Sequence, residues 1–371
     1  MPFVDLGCLH AELKEAILDE LSELIDRGSF TGGPQVARFE RAFAAYCGTA
    51  ACVGVASGLD ALRLALLAAG LEPGDEVIVP AMTFVATLEA VAQAGGTPVP
   101  VDVDPDDHTL DLAAVAAAIG PRTRFLLPVH LYGQMADVRG LRRLARERGL
   151  TLIEDACQAH GARRDGVRAG AAGLAAAFSF YPAKNLGAFG DAGAVVTDDP
   201  ELAEDVRALR EHGQRGKYRH ELAGWTARLD TVQAVALLHK LPLLDGWNDE
   251  RRAVAARYES LLEGVGDLRL PRVPAGSEPV WHLYVVRTAD PDALAAHLAR
   301  RGIQSGRHYP EPVHLAPAFR SLGHGPGSFP AAEALARENL SLPLFPGMRE
   351  EQLERVAEAV EEHFRDGGGA R

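Results

Sequence analysis

Between residues 51 and 154, short β-branched runs alternate with Ala/Leu-rich helical stretches, and this alternation limits the possible folds more than any other feature of the chain. The run Ala51–Val55 precedes a helical stretch at 60–69, Glu76–Val79 precedes one near 87–94, and Pro98–Val101 precedes one at 111–119. The run 124–129 leads into a helix at 138–148, and the run 150–154 closes the series. Strands that alternate with helices form βαβ units, whose helical crossovers leave successive strands parallel. Thr151-Leu152-Ile153 is continuous rather than alternating, which fits a strand covered on both faces. The expected class is α/β with a mostly parallel sheet.

The flanking segments follow other patterns. Residues 11–26 have helical periodicity, with Leu13, Ile17, Leu21 and Leu24 on one face, and a Gly-rich turn occupies 28–34. Near Leu241-Pro242 the α/β grammar stops. A charge-rich helix (248–262), a Pro-containing stretch (271–279), a strand (281–286) and a helix (293–300) then read as a smaller α+β domain. At 371 residues the chain exceeds what one core usually serves. The expected division is 1–244, a large domain that includes the N-terminal helix, and 245–371, a smaller C-terminal domain. The tail 366–371 is expected to be disordered.

Charge and composition exclude several functions. A net charge of -13 opposes binding to nucleic-acid phosphates. No apolar run reaches membrane-spanning length, and the first residues lack the basic and apolar regions of a signal peptide. Cys8, Cys47, Cys52 and Cys157 form no CxxC pair and have no histidine at zinc spacing, so no metal site and reduced cytoplasmic thiols are expected. No GxGxxG follows an expected strand, which excludes a nucleotide-dependent dehydrogenase.

Three features carry chemistry. Lys184 follows the short strand 177–180 and Pro182, in a turn before Gly187, Gly190 and Gly193. In a cavity its pKa would fall, making it a nucleophile towards an aldehyde; as an ordinary loop lysine it would be exposed. Asp155 ends the strand 150–154, where open α/β sheets bind ligands, and suits a protonated pyridine nitrogen. It is equally suited to capping a helix, while Glu154 should face the other way. In Val55-Ala56-Ser57-Gly58-Leu59-Asp60 a strand turns into a helix whose first N–H groups suit a phosphate. Ser179 offers a further hydroxyl, and Phe84 an aromatic face for a ring or for the core.

With these pieces in view, the chain resembles the DegT/DnrJ/EryC1/StrS sugar aminotransferases, of the aspartate-aminotransferase-like fold type I. The resemblance rests on SGLDAL at 57–62, PGDEVIVPAMTFVAT at 73–87, PVHLYGQ at 128–134 and IEDACQAHGA at 153–162. It continues through AFSFYPAKNLGAFGDAGAVVT at 177–197, RLDTVQA at 228–234, WHLYVVR at 281–287, HYPEPVHL at 308–315 and LSLP at 340–343. These pieces keep the family's order over nearly the whole chain.

What the resemblance implies is a pyridoxal 5'-phosphate (PLP) transaminase. Lys184 matches the lysine that holds the cofactor, Asp155 the acid at its pyridine nitrogen, and Gln158 the residue beside its ring hydroxyl. Phe84 matches the stacking aromatic, and Ser57, Gly58, Leu59 and Ser179 surround the phosphate. Thr226 stands where the family usually has an Asn that reaches the phosphate from the partner subunit of a homodimer with shared active sites.

Tyr181, Lys217, Tyr218, Arg228, His308, Tyr309 and His314 are the expected substrate contacts, although the stretch 215–220 also reads as a solvated surface loop. The implied amino donor is L-glutamate, with Lys184 moving the proton, and the acceptor is a nucleotide-linked keto sugar. The closest resemblance is to enzymes that aminate C3 of dTDP-3-keto-6-deoxyhexoses; a 4-keto sugar is the alternative. An Ala/Arg/Gly-rich composition points to a high-GC genome and an antibiotic pathway. A PLP/PMP-dependent sugar dehydratase is the reading from another class, yet some of those carry His at the position of Lys184. A regulatory protein of the same fold would have little use for Lys184, Asp155 and Gln158 together.

Overall fold

The computed structural model describes residues 1–365 and Gly367. The tail expected to be disordered therefore lies outside the described residues except for Gly367, as does the Cys8 side chain. Five strands open the α/β region: β1 (Ala51–Val55), β2 (Glu76–Pro80), β3 (Thr97–Val101), β4 (Thr123–Leu126) and β5 (Thr151–Asp155). A small hairpin follows, β6 (Arg163–Arg164) and β7 (Val167–Arg168), then β8 (Ala175–Ser179) and β9 (Gly193–Thr197).

Seven of these strands form one sheet in the order β1-β9-β8-β5-β4-β2-β3. The pairs β2–β3, β2–β4, β4–β5 and β5–β8 are parallel. Strand β9 runs antiparallel to both β8 and β1. The reason is local. No helix lies between β8 and β9, so the chain turns back along the strand it has just left instead of crossing over. Lys184 lies in that helix-free return.

The sheet is buried on both faces. On one side Leu62, Leu66, Leu88 and Val91 of the helices Gly58–Ala68 and Ala86–Gln93 pack over Val53, Val77 and Ile153. On the other, Phe39 and Phe43 of the helix Pro34–Cys47 meet Phe178 and Phe180. That helix starts on Pro34, whose missing N–H costs nothing in a first turn. Strand β4 stops at Leu126, short of the expected 129, because Pro128 cannot donate to the ladder. Pairing resumes as a single bridge between Val129 and Asp155.

A further cluster joins Val254, Tyr258, Tyr284, Leu298, Leu340, Val356 and Val360. It lies among the helices Leu244–Leu262, Pro291–Arg300 and Glu350–Arg365 and a two-stranded sheet, β11 (Tyr284–Arg287) with β12 (Asn339–Leu342). Strand β11 begins three residues later than the sequence suggests, because Trp281 adopts a left-handed backbone (φ 46°) that breaks the extended run. A short strand β10 (Ser277–Glu278) pairs with β6 and ties this region to the main sheet's surroundings. None of the described helices is long and apolar enough to cross a membrane.

Candidate active site

Strands β1, β2, β5 and β8 run in one direction, so the segments after their carboxyl ends gather along one edge of the sheet. Those segments hold Ser57–Leu59, Thr83–Thr87, Asp155–Gln158 and Ser179–Lys184. A crevice at this edge is where open α/β sheets take ligands.

The turn after β1 is shaped for close approach. Ser57 is extended (φ -162°) and caps the helix Gly58–Ala68, its hydroxyl accepting from the Asp60 N–H at 3.1 Å. The backbone N–H groups of Gly58 and Leu59 are left as first-turn donors. Gly58 is required by contact: a Cβ there would stand 2.7 Å from Ser179 Cβ and 2.9 Å from Cys157 Sγ. The helix start, the end of β8 and the turn after β5 thus converge within one van der Waals diameter. Asp60 would repel an anion here, but Arg63 pairs with it from the next turn and is held over the Trp225 ring at 4.6 Å.

Asp155 ends β5 and is 5% exposed. It is not a helix cap, since no helix follows. Its Oδ1 accepts from the Cys157 N–H at 3.2 Å and its Oδ2 from the Thr87 hydroxyl at 2.8 Å. Glu154, one residue earlier, faces the other side of the sheet. There it meets His130 Nε2 at 2.8 Å and accepts from the N–H groups of Gly170, Ala172 and Gly173. Burial alone would raise the Glu154 pKa, but these donors outweigh it and hold the carboxyl below its ordinary value.

Lys184 is half-buried in the return between β8 and β9. Its N–H donates to Tyr181 O at 2.8 Å, and the next residue pins the loop: Asn185 Nδ2 donates to Asn248 Oδ1 and to Val280 O at 2.9 and 2.8 Å. Burial lowers the pKa of Lys184, and nearby Cys157 and Asp155 oppose that shift without cancelling it. Burial also raises the Cys157 thiol, which stays protonated.

Gln158 is buried and fixed in orientation. Its Oε1 accepts from the Tyr132 N–H at 2.7 Å and its Nε2 donates to the Tyr309 hydroxyl at 3.1 Å, leaving one amide N–H for another partner. Tyr309 lies beside Phe84, with ring centroids 5.5 Å apart. Phe84 itself is 51% exposed, so it covers the crevice rather than filling the core. His308 Nδ1 meets Ser341 Oγ at 2.8 Å. Burial and the charge of Lys184 push the His308 pKa down to about 4, so the ring is neutral at pH 7.

Four of the other expected contacts are exposed: Tyr181, Lys217, Tyr218 and Thr226. Tyr181 is exposed at the start of the Lys184 loop. Thr226 is exposed, its Oγ1 2.9 Å from His212 Nε2, and Arg228 Nη1 donates to Glu211 at 2.6 Å. Both lie beside β1, where the Ala56 N–H donates to Ala227 O at 3.0 Å. Lys217 and Tyr218 are exposed in the loop 213–222, the lysine 5.5 Å over the tyrosine ring, while Arg215 and Arg219 pair with Glu221. His314 is buried against Glu333 (3.2 Å) and Phe329, and the N–H of its neighbour Val313 donates to Ala81 O, just past the end of β2, at 3.0 Å.

Three groups at the site were not singled out from the sequence. Thr87 bonds Asp155, and Tyr132 holds Gln158. His160 lies fully buried against Phe178 and Phe180, its pKa pushed down to about 3 by burial and then by the charge of Lys184. Only their places inside the motifs marked them, since neither a threonine nor a buried aromatic announces a partner distant in sequence.

Comparison with known proteins identifies the family of the chain. The model of the DegT/DnrJ/EryC1/StrS aminotransferase family matches residues 11–361. A dTDP-3-amino-3,4,6-trideoxy-alpha-D-glucose transaminase of Streptomyces venezuelae is 51% identical over 98% of this chain and 96% of that protein. A UDP-N-acetyl-3-dehydro-alpha-D-glucosamine 3-aminotransferase of Acidithiobacillus ferrooxidans is 45% identical over 97% of both. The crystal structure of S. venezuelae DesV in complex with a ketimine intermediate is similar with a TM-score of 0.95 and 52% identity, covering 97% of each chain.

Proposed function

Because this chain belongs to the DegT/DnrJ/EryC1/StrS aminotransferase family, of fold type I, we propose that it is a PLP-dependent nucleotide-sugar aminotransferase that places an amino group at C3. The favoured acceptor is a dTDP-3-keto-6-deoxyhexose and the favoured donor L-glutamate. The observation that carries this reading is the convergence of Lys184, Asp155 and the Gly58 helix start at one sheet edge, in a chain 51% identical to a dTDP-3-amino-sugar transaminase. The names of both relatives cited place the amino group at C3, which favours that position over C4. The Streptomyces relative makes a deoxyamino sugar, and we assign this chain to the same kind of pathway, one serving antibiotic biosynthesis.

The residues fit PLP by their chemistry. The space around Gly58 admits no Cβ, and it combines free N–H groups at a positive helix end with the Ser179 hydroxyl, a set suited to a phosphate. Asp155 offers an oriented carboxylate to the ring nitrogen, Gln158 an N–H to the ring hydroxyl, Phe84 an aromatic face, and Lys184 an amine of lowered pKa for covalent attachment. When bound, PLP supplies an electron sink for the donor's α-carbon.

The chain's own work is then acid–base chemistry and orientation. Lys184 Nζ, neutral more often than an exposed lysine, takes the proton from the donor's α-carbon and returns it when the sugar is aminated. Neutral His308 and the Tyr309 hydroxyl line the approach without adding charge.

We further propose a cytoplasmic homodimer in which Thr226 and the loop 213–222 serve the partner's site. Their exposure beside β1 supports that reading, and buried, unpaired Cys47 and Cys52 suit a reducing compartment. The test is an amination assay with PLP and L-glutamate against paired 3-keto and 4-keto dTDP sugars, read by NMR of the product. Amination at C3 is expected; amination at C4 alone, or dehydration without amine transfer, overturns the proposal.

A further inference from the structure

Asp155 is approached by a chain of two hydroxyls from a single loop. Thr87 Oγ1 lies 2.8 Å from Asp155 Oδ2, and Thr83 Oγ1 lies 2.8 Å from Thr87 Oγ1. All three residues are buried, at 2%, 1% and 5% exposure for Thr83, Thr87 and Asp155. The direction of the chain follows from counting protons. An ionised carboxylate only accepts, so the single hydroxyl proton of Thr87 goes to Asp155, and Thr83 must donate to Thr87. Hydrogen bonds aligned in this way polarise one another.

The same loop carries Phe84, so one stretch of five residues supplies both an aromatic cover and the support beneath Asp155. Thr83 lies in the loop before the helix Ala86–Gln93 and Thr87 in its first turn, and the loop's path brings their hydroxyls together.

We propose that Thr83 and Thr87 are positioning residues that hold the Asp155 carboxylate towards the cofactor's ring nitrogen and help keep the proton between the two on the nitrogen. This rests on the PLP reading above. The Thr87 hydroxyl donates to Asp155 Oδ2, and a hydrogen bond to a carboxylate stabilises its charge. Without that donor the carboxylate charge is less stabilised, and the shared proton moves towards its oxygen. A nitrogen that has lost its proton is a poorer electron sink, so the effect should fall on turnover more than on binding.

The substitution Thr87→Val keeps the shape of the side chain and removes its proton; Thr87→Ser keeps the proton. The readout is the ¹⁵N chemical shift of PLP labelled at its ring nitrogen and bound to each purified variant, alongside cofactor Kd, kcat and KM. The hydrogen bond acts on a charged group, so its loss should move the partition of the proton roughly tenfold towards the carboxylate. Thr87→Val should therefore shift the resonance from the pyridinium towards the pyridine position and lower kcat, with KM little changed. Thr87→Ser should restore both, and Thr83→Val should shift the resonance in the same direction by less.

A Thr87→Val or Thr83→Val resonance that coincides with the wild-type pyridinium signal overturns the inference even if activity falls. If Thr87→Val does not fold, the Thr83→Val spectrum decides. A wild-type protein that binds no PLP refutes the functional reading instead, and so the two failures are distinguishable.

Discussion

Replacing Gly58 with alanine tests the phosphate seat directly. The new Cβ would lie 2.7 Å from Ser179 Cβ and 2.9 Å from Cys157 Sγ. Carbon atoms in good contact sit roughly 3.5 Å apart or more, so the helix start and β8 must separate by roughly 0.8 Å. A displacement of that size takes a hydrogen bond of normal length past its useful range. Each N–H bond to a charged phosphate contributes about 1.5–3 kcal/mol, so losing one should weaken PLP binding roughly tenfold to a hundredfold.

Overpacking should also reduce stability by about 1–3 kcal/mol, so a control is needed. Gly54→Ala provides it. Its Cβ would lie 2.7 Å from Leu229 Cδ2, within β1 and short of the strand end. Titration of apoprotein with PLP, followed by absorbance, should give a raised Kd for Gly58→Ala and an unchanged one for Gly54→Ala, while both lower the melting temperature. If Gly58→Ala binds PLP within twofold of wild type while losing stability, the phosphate does not sit at this helix start.

Asp155→Asn should still bind PLP but lose about 10²–10³ in kcat, because an amide does not hold the ring nitrogen protonated; wild-type rates would remove Asp155 from that role. Thr226→Asn should leave PLP affinity equal or tighter, and a large loss in a binding titration would mean that Thr226 makes a contact of its own. Acid sensitivity should come partly from His108, 7% exposed, whose pKa burial and Arg287 push down to about 4 from 6.5. The unfolded chain then binds more protons than the folded one between pH 6.5 and 4, so stability falls as pH drops through that window, by at most about 3 kcal/mol for this group. His108→Asn, which tolerates the left-handed backbone at this position (φ 62°), should flatten the loss in urea melts between pH 6.5 and 4; an unchanged slope contradicts the assignment.

The sequence carried the βαβ core because that information is local. Continuous β-branched runs and Ala/Leu helices mark strands and crossovers whatever lies around them. The reversal of β9 depended on the absence of a helix after β8, a weaker mark than a helix present. The helix Pro34–Cys47 carries its own marks, with Pro34 at its first position and Val36, Phe39 and Phe43 on one face, but the Gly-rich turn directly before it obscures where that periodicity starts.

At the site, the backbone chemistry around Gly58 and the end of β5 could be read from strand-to-helix turns. Side chains whose partners are distant in sequence could not. Thr87 meets Asp155 across 68 positions, and His314 meets Glu333 across 19. Arg228, whose place between apolar neighbours suits pairing with a carboxylate or phosphate, finds its carboxylate partner Glu211 across 17 positions.

The chain has only four lysines, Lys14, Lys184, Lys217 and Lys240, which makes one measurement decisive. The protein should be reconstituted with PLP, reduced with borohydride, digested and mapped by mass spectrometry. The central claim predicts a single pyridoxyl adduct on Lys184. The sharpest competitor is Lys240, whose pKa burial lowers to about 8 and whose Nζ donates to Gly187 O at 2.6 Å within the same loop region. An adduct on Lys240 or another lysine, or no adduct at all, would contradict the claim that Lys184 holds the cofactor.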